Sequence, residues 1–262
     1  MFVLKSFIIL AVGMYSSSVS AGCKFSNDDA LKDEPTFGDY NVDQGAGFKW
    51  KNVNGKTTVP YIFENVDRNT QAAYKKVMKE LERGSRSCIR FKQTTNTNQK
   101  YLKITDGTPC YTGGAIGGEV KTKWSSWKPE GEQTLDMDHR LCSANPRGLE
   151  RYLGVVRHEF LHVFGLQHTQ TRQDRDEYIR VNYRNLLNDG KSQYEKCRNC
   201  KTFGAPYECN SIMHYGANDF AINWRTPTMT PVDKNTCKIN PGTNLTNWDW
   251  KLLRKAANCP GS

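Results

Sequence analysis

Past its first two dozen residues this 262-residue chain has no apolar run near the roughly 18 residues that a membrane-spanning helix needs. No spanning helix is therefore expected in the body, and the processed chain is expected to be soluble. No internal repeat recurs at a fixed period, which excludes solenoids and propellers, and no tract is of low complexity. Basic and aromatic residues do not alternate in any stretch, so nothing argues for nucleic acid as a partner. Histidine is also scarce, at five residues. Where those five fall is the most informative feature of the chain.

What is present begins with an export signature. Lys5 gives a short basic flank, residues 7–12 are wholly apolar, and Val19-Ser20-Ala21 offers the small residues at which a signal peptidase cuts. Residues 1–21 read as a signal peptide. Residues 22–47 are polar and acidic, suiting a short prosegment or arm, and residues 48–262 form the body. The nine cysteines agree with an oxidising, extracellular destination. Cys23 stands apart, which leaves an even eight for pairing. Residues 1–47 carry three basic and six acidic side chains, so the remainder holds 34 basic against 21 acidic, or +13. That excess can draw acidic partners, although a well-solvated surface is sufficient reason for it.

Periodicity gives a coarse order of elements. Residues 59–63 read as a strand, followed by a helix capped by Asp67 or Asn69, with Ala73, Val77, Met78 and Leu81 on its buried stripe and Gly84 at its end. Residues 88–91 and 101–105 read as strands. A glycine-rich turn at 113–118 leads to an expected edge strand at 134–138. Residues 148–164 form the clearest helix, terminated by Gly165. Loop-rich, cysteine-dense chain follows to about residue 242, and a last helix starts at Thr246, where Thr246 and Asp249 pair as a capping box. The fold class expected is α+β: a sheet and an active-site helix first, an irregular part stapled by disulfides afterwards.

Three of the five histidines lie within eleven residues, in His158-Glu159-Phe160-Leu161-His162-Val163-Phe164-Gly165-Leu166-Gln167-His168. On a helix His158 and His162 are one turn apart and share a face. Both imidazoles can then reach one ion about 2 Å away. Glu159 sits beside the first ligand, placed to take a proton from a water without binding the metal. A third ligand six residues past the second cannot come from a straight helix. Gly165 tolerates the left-handed turn that brings His168 back. Three neutral histidines leave a fourth position open, as in a catalytic zinc site. The full spacing is the metzincin signature when a Met-turn follows, and Ser211-Ile212-Met213-His214-Tyr215 supplies one.

With these motifs the chain resembles the astacin family of metzincins. The segment Thr171-Arg172-Gln173-Asp174-Arg175-Asp176-Glu177-Tyr178 is similar to that family's run after the third histidine, and weaker likeness extends from about residue 59 to 259. The resemblance implies a two-lobed metzincin domain with a cleft between the lobes, a twisted mixed sheet above and a terminal helix below. It implies one zinc on His158, His162 and His168, with Glu159 as general base. Tyr215 is implied as an extra ligand at rest that swings away to stabilise the oxyanion. Met213 is implied as the floor beneath the metal. Cys88–Cys259 and Cys110–Cys142 are the implied bridges. The activity implied is that of a secreted, monomeric zinc endopeptidase on protein or peptide substrates, which pair as extended chains with the edge strand near 134–138. An inactive homologue acting as a secreted binding protein is the alternative.

Two departures stand out. After the third histidine the family typically has Glu, which in the resemblance anchors the freshly cut N-terminal amine, whereas here Thr169 carries no charge. The family's inhibitory prosegment Asp lies in an F-x-G-D-like motif, and Phe37-Gly38-Asp39 is one residue short of it. Cys197, Cys200, Cys209 and Cys237 are expected as two disulfides, with Cys200–Cys209 and Cys197–Cys237 the least strained pairing. Asn244-Leu245-Thr246 is a glycosylation sequon.

Overall fold

A computed structural model describes residues 50–105, 119–125, 128–136, 146–188, 190–197 and 201–262. Residues 1–47, expected as a signal peptide and an arm with Cys23 and Asp39, and also Cys110, Cys142 and Cys200 lie outside them.

The first half is a six-stranded mixed sheet. Strand β2 (Lys56–Glu64) pairs antiparallel with the short β1 (Asn52–Val53) and parallel with β3 (Ile89–Gln93) and β4 (Tyr101–Thr105). Strand β6 (Lys128–Asp136) runs parallel beside β4, and β5 (Glu119–Ser125) closes the order antiparallel to β6. The strand expected at 134–138 is thus the end of β6, and it is not an edge. From Glu132 to Asp136 it pairs on both sides, so among the described strands the edge on this side of the sheet is β5. Residues 132–136 of β6 are laddered on both sides, whereas towards its start only β5 pairs with it, at Lys128 across a register shift.

Helix α1 (Arg68–Gly84) begins where expected: the Asp67 carboxylate accepts from the backbone N–H of Asn69 and Thr70. It buries Tyr74, Val77, Met78 and Leu81. These side chains meet Val59, Ile89, Leu102 and Ile104 of the sheet and Leu153, Val156 and Phe160 of helix α2 (Pro146–Val163) in one core. Edge-on aromatic contacts knit this core: Phe160 packs against Tyr74 at 6.0 Å and Phe91 at 5.1 Å between ring centres. The indole N–H of Trp50 donates to the Val163 carbonyl at 3.0 Å, tying the start of the described chain to the end of α2.

The second half has little regular structure. Strands β7 (Ile179–Val181) and β8 (Met229–Pro231) form a two-stranded ladder, with short 3₁₀ turns between, before helix α3 (Asn247–Ala256). Thr246 and Asp249 make the expected capping box. Cys88–Cys259 is formed as implied and closes 171 residues of chain, worth about 5 kcal/mol in the chain-entropy account. The other expected pairing is corrected, because Cys209 bonds to Cys237 across 28 residues. Backbone bonds from Asn240 to Cys209 and from Gly242 to Asn210 lay the 237–242 segment along 209–210, which spacing could not foretell. Cys197 is disulfide-bonded as well.

Candidate metal centre and active site

Helix α2 carries His158 and His162 on one face, and its ending is what delivers His168. Gly165 has φ +88°. Its N–H donates to the His162 carbonyl at 2.8 Å, and that of Leu166 donates to Leu161 at 3.1 Å. This is a Schellman ending, in which a left-handed residue reverses the chain while satisfying the last carbonyls. His168 returns three residues after Gly165. The three Nε2 atoms form a triangle with sides of 3.0, 3.1 and 3.2 Å. Tetrahedral nitrogen ligands at about 2.05 Å from zinc stand about 3.3 Å apart, so the triangle fits that ion. Among the described residues these histidines are the one cluster of metal-ligating side chains.

The outer nitrogens are fixed by backbone. His158 Nδ1 bonds the Ile212 carbonyl at 2.7 Å and His162 Nδ1 bonds that of Leu166 at 2.5 Å. Each carbonyl requires a proton on Nδ1, which leaves the Nε2 lone pair facing the cluster. Burial pushes the His158 pKa down to about 4 and those of His162 and His168 well below the ordinary value, with mutual repulsion adding to the last two. All three are neutral at pH 7, the form that ligates a metal. Glu159 is fully buried next to them.

The Met-turn is held from below. Asp249 of α3 accepts from Ser211 Oγ at 2.6 Å, from Ile212 N at 3.2 Å and from Thr246 N at 2.9 Å. Met213 is wholly buried in the main core, and its carbonyl accepts from Thr169 N at 3.0 Å. Tyr215 lies beside His168 with ring centres 4.4 Å apart. Its hydroxyl donates to Gln193 Oε1 at 3.3 Å, and its N–H donates to Gln170 Oε1 at 3.2 Å. Sequence reasoning does not single out Gln170, Gln193 or the role of Asp249 here. The glutamines have no periodic or motif signature, and only the capping-box pattern points to Asp249 at all. The residues singled out at the metal do converge: His158, His162, His168, Glu159, Met213 and Tyr215 share one region, while Thr169 sits behind it, its buried hydroxyl without a hydrogen-bond partner among the described residues.

Comparison with known proteins gives this geometry a lineage. Residues 47–257 match the peptidase family Astacin. High choriolytic enzyme 2 of Oryzias latipes is 28% identical over 212 residues, covering 80% of this chain and 67% of that protein. An astacin-like metalloendopeptidase of Mus musculus is 29% identical over 217 residues, 82% of this chain and 44% of the relative. The solved structure of High choriolytic enzyme 1, a hatching enzyme zinc-protease of the same fish, superposes with a TM-score of 0.65 at 28% identity, over 80% of this chain and 94% of that one. A family match across most of the chain, repeated at the level of the fold, shows that the protein belongs to the astacin family and is a zinc metalloendopeptidase.

Proposed function

We propose that this protein is a secreted endopeptidase that binds one zinc through His158, His162 and His168 and cleaves peptide bonds with Glu159 as general base. The observation that carries the reading is the Nε2 triangle with its sides of 3.0 to 3.2 Å. When bound, zinc supplies a Lewis acid that lowers the pKa of a water it holds towards about 7. Glu159 takes the proton of the attacking water and delivers it to the leaving amine. The Tyr215 hydroxyl donates to the oxyanion that forms at the scissile carbonyl, and Gln193 holds that hydroxyl until it is needed. The substrate backbone pairs with the open edge of β5, which replaces 134–138 in this role and selects for an extended chain more than for side chains. Export rests on residues 1–21 and on disulfides that an oxidising compartment sustains.

Metal content and casein cleavage, with and without a chelator, test the site together with Glu159→Ala. The variant should keep its zinc and lose about 10²–10⁴-fold in rate, the usual worth of a positioned proton carrier. Near-normal cleavage by Glu159→Ala would remove it from the mechanism. An intact wild-type protein that binds zinc yet cleaves nothing would favour the binding-protein alternative.

A further inference from the structure

The C-terminal end of α1 and the Cys88–Cys259 bridge border an open cavity of about 290 Å³ that the peptidase site does not use. Lys56, Arg86, Arg90 and Arg254 line it, and none of its lining residues is acidic. The fold brings these cations together from four separate places. Lys56 opens β2, and Arg90 stands on the neighbouring β3, registered against Thr58. Arg86 follows α1, and Arg254 comes from the last turn of α3. No ion pair neutralises any of the four among the described residues. Arg254 spends one N–H on the Gly84 carbonyl at 3.3 Å. Burial and the facing Arg86 both lower its pKa, a sign of repulsion left unrelieved.

Backbone strain gathers at the same rim. Asn54, Arg86 and Ser87 all have positive φ, at 51°, 58° and 61°, and all three line the cavity. Consecutive left-handed residues that are not glycine are uncommon, and strain of this sort concentrates where a surface is shaped for a ligand. Arginines at the ends of α1 and α3 also complement the helix dipoles. That does not account for Lys56 and Arg90, which come from strands. No aromatic residue lines the walls, whose apolar part includes Pro260 and the disulfide. Guanidinium groups gathered in a solvent-open cleft suit a sulfate or phosphate group, which they bind by paired N–H donors. The Asn54 amide and Ser87 hydroxyl beside them suit the hydroxyls of a sugar.

We infer that this cavity is a second binding site, an exosite for sulfated glycan chains, through which the enzyme is held on a polyanionic matrix. The full chain should bind a sulfated hexasaccharide of the heparin type, with inorganic sulfate competing and the desulfated sugar inert. Arg86→Asn with Arg90→Thr removes two exposed charges using residues suited to a left-handed and to a strand position, and should raise Kd at least about tenfold. Arg254→Gln should weaken binding further. Lys234→Ala with Lys238→Ala lowers net charge equally at exposed positions elsewhere and should leave Kd within about twofold, since charges beyond a Debye length are screened. Cleavage of a short uncharged peptide should be the same in all of these variants. The inference is overturned if the Lys234/Lys238 variant loses as much affinity as the Arg86/Arg90 variant, or if inorganic sulfate fails to compete. Tighter binding of a phosphoserine peptide than of the sulfated sugar would overturn the assignment to a glycan.

Discussion

The two halves of the proposed catalytic site are built by different physics. His158, Glu159 and His162 ride on α2, an eighteen-residue helix whose other face is packed into a continuous apolar core. His168 and Tyr215 stand on chain with almost no regular structure, where buried side chains take over the work of a ladder. Arg175 donates to the carbonyls of Gln170 and Tyr194 and to the Tyr183 hydroxyl. Arg172 donates to the carbonyls of Ala205 and Pro206 and to Asp174. Both arginines are almost fully buried. Each carbonyl they satisfy would otherwise be an unpaired buried acceptor. Where apolar packing is dense, precision comes from periodicity. In the irregular half it comes from individual hydrogen bonds, and single residues there carry more of the geometry.

The largest effect expected of that difference is kinetic. Tyr215→Phe should retain zinc and fold, and lose about 10²–10³ in kcat, the usual effect of removing one oxyanion donor. Steady-state kinetics on one peptide would settle it, since a change confined to KM would place Tyr215 in substrate binding.

A pair of variants sharpens the comparison directly. Leu161→Ala on α2 and Arg175→Met in the irregular half should each cost about 2–4 kcal/mol, the first by a cavity and the second by orphaned carbonyls. Urea unfolding measures that cost. Zinc competition against a chelator should then separate them. Arg175→Met slackens the Thr169–Thr171 turn next to His168 and weakens zinc binding, while Leu161→Ala leaves affinity nearly unchanged. Equal losses of affinity would erase the distinction between the halves.

Acid should act more gently. His214 is buried, and desolvation pulls its pKa to about 4 from 6.5. Its Nε2 bonds the Tyr207 hydroxyl at 2.9 Å and its Nδ1 the Tyr215 carbonyl at 2.6 Å. The unfolded chain takes up this proton near pH 6.5 and the folded one only near 4. Stability is therefore complete above about pH 6.5 and falls as pH drops towards 4, by about 2 kcal/mol at pH 5. His214→Gln should flatten the dependence of the unfolding free energy, measured by urea titration, between pH 7.5 and 5 by that amount. An unchanged slope would assign the acid sensitivity to the three clustered histidines alone.

The smallest effect concerns Thr169. A carboxylate at this position would demand a charge partner, whereas a buried threonine hydroxyl demands none of that strength. Proteins trimmed to begin at Gly45, Gly47 or Lys49 should turn over one peptide at rates within about threefold of one another, a difference under 1 kcal/mol. A sharp optimum at one start would mean that another acidic residue holds the new terminus.

How much of this is legible in the sequence follows the same division. The helix stripe of Val77, Met78 and Leu81, the Asp67 cap, the Thr246–Asp249 box and the reversal at Gly165 are local patterns, and all are present in the fold. The metal cluster is readable because helical spacing and one glycine determine it. The edge strand is misplaced by local reading because which strand lies outermost depends on the pairing of β5 with β6, which local pattern does not show. The Cys209–Cys237 bridge and the roles of Gln170 and Gln193 depend on where irregular chain lies in space. Residue spacing holds no record of that.

The Cys88–Cys259 bridge has a consequence for an enzyme that lives among copies of itself. A cut anywhere between those two cysteines, including every loop of the irregular half, leaves both fragments covalently joined. A single self-inflicted cut therefore does not release a piece of the protein as long as the bridge is oxidised. A nicked molecule keeps its two ends together and can hold its shape, so damage at a loop becomes a scar within one particle. Only a reductant turns it into two.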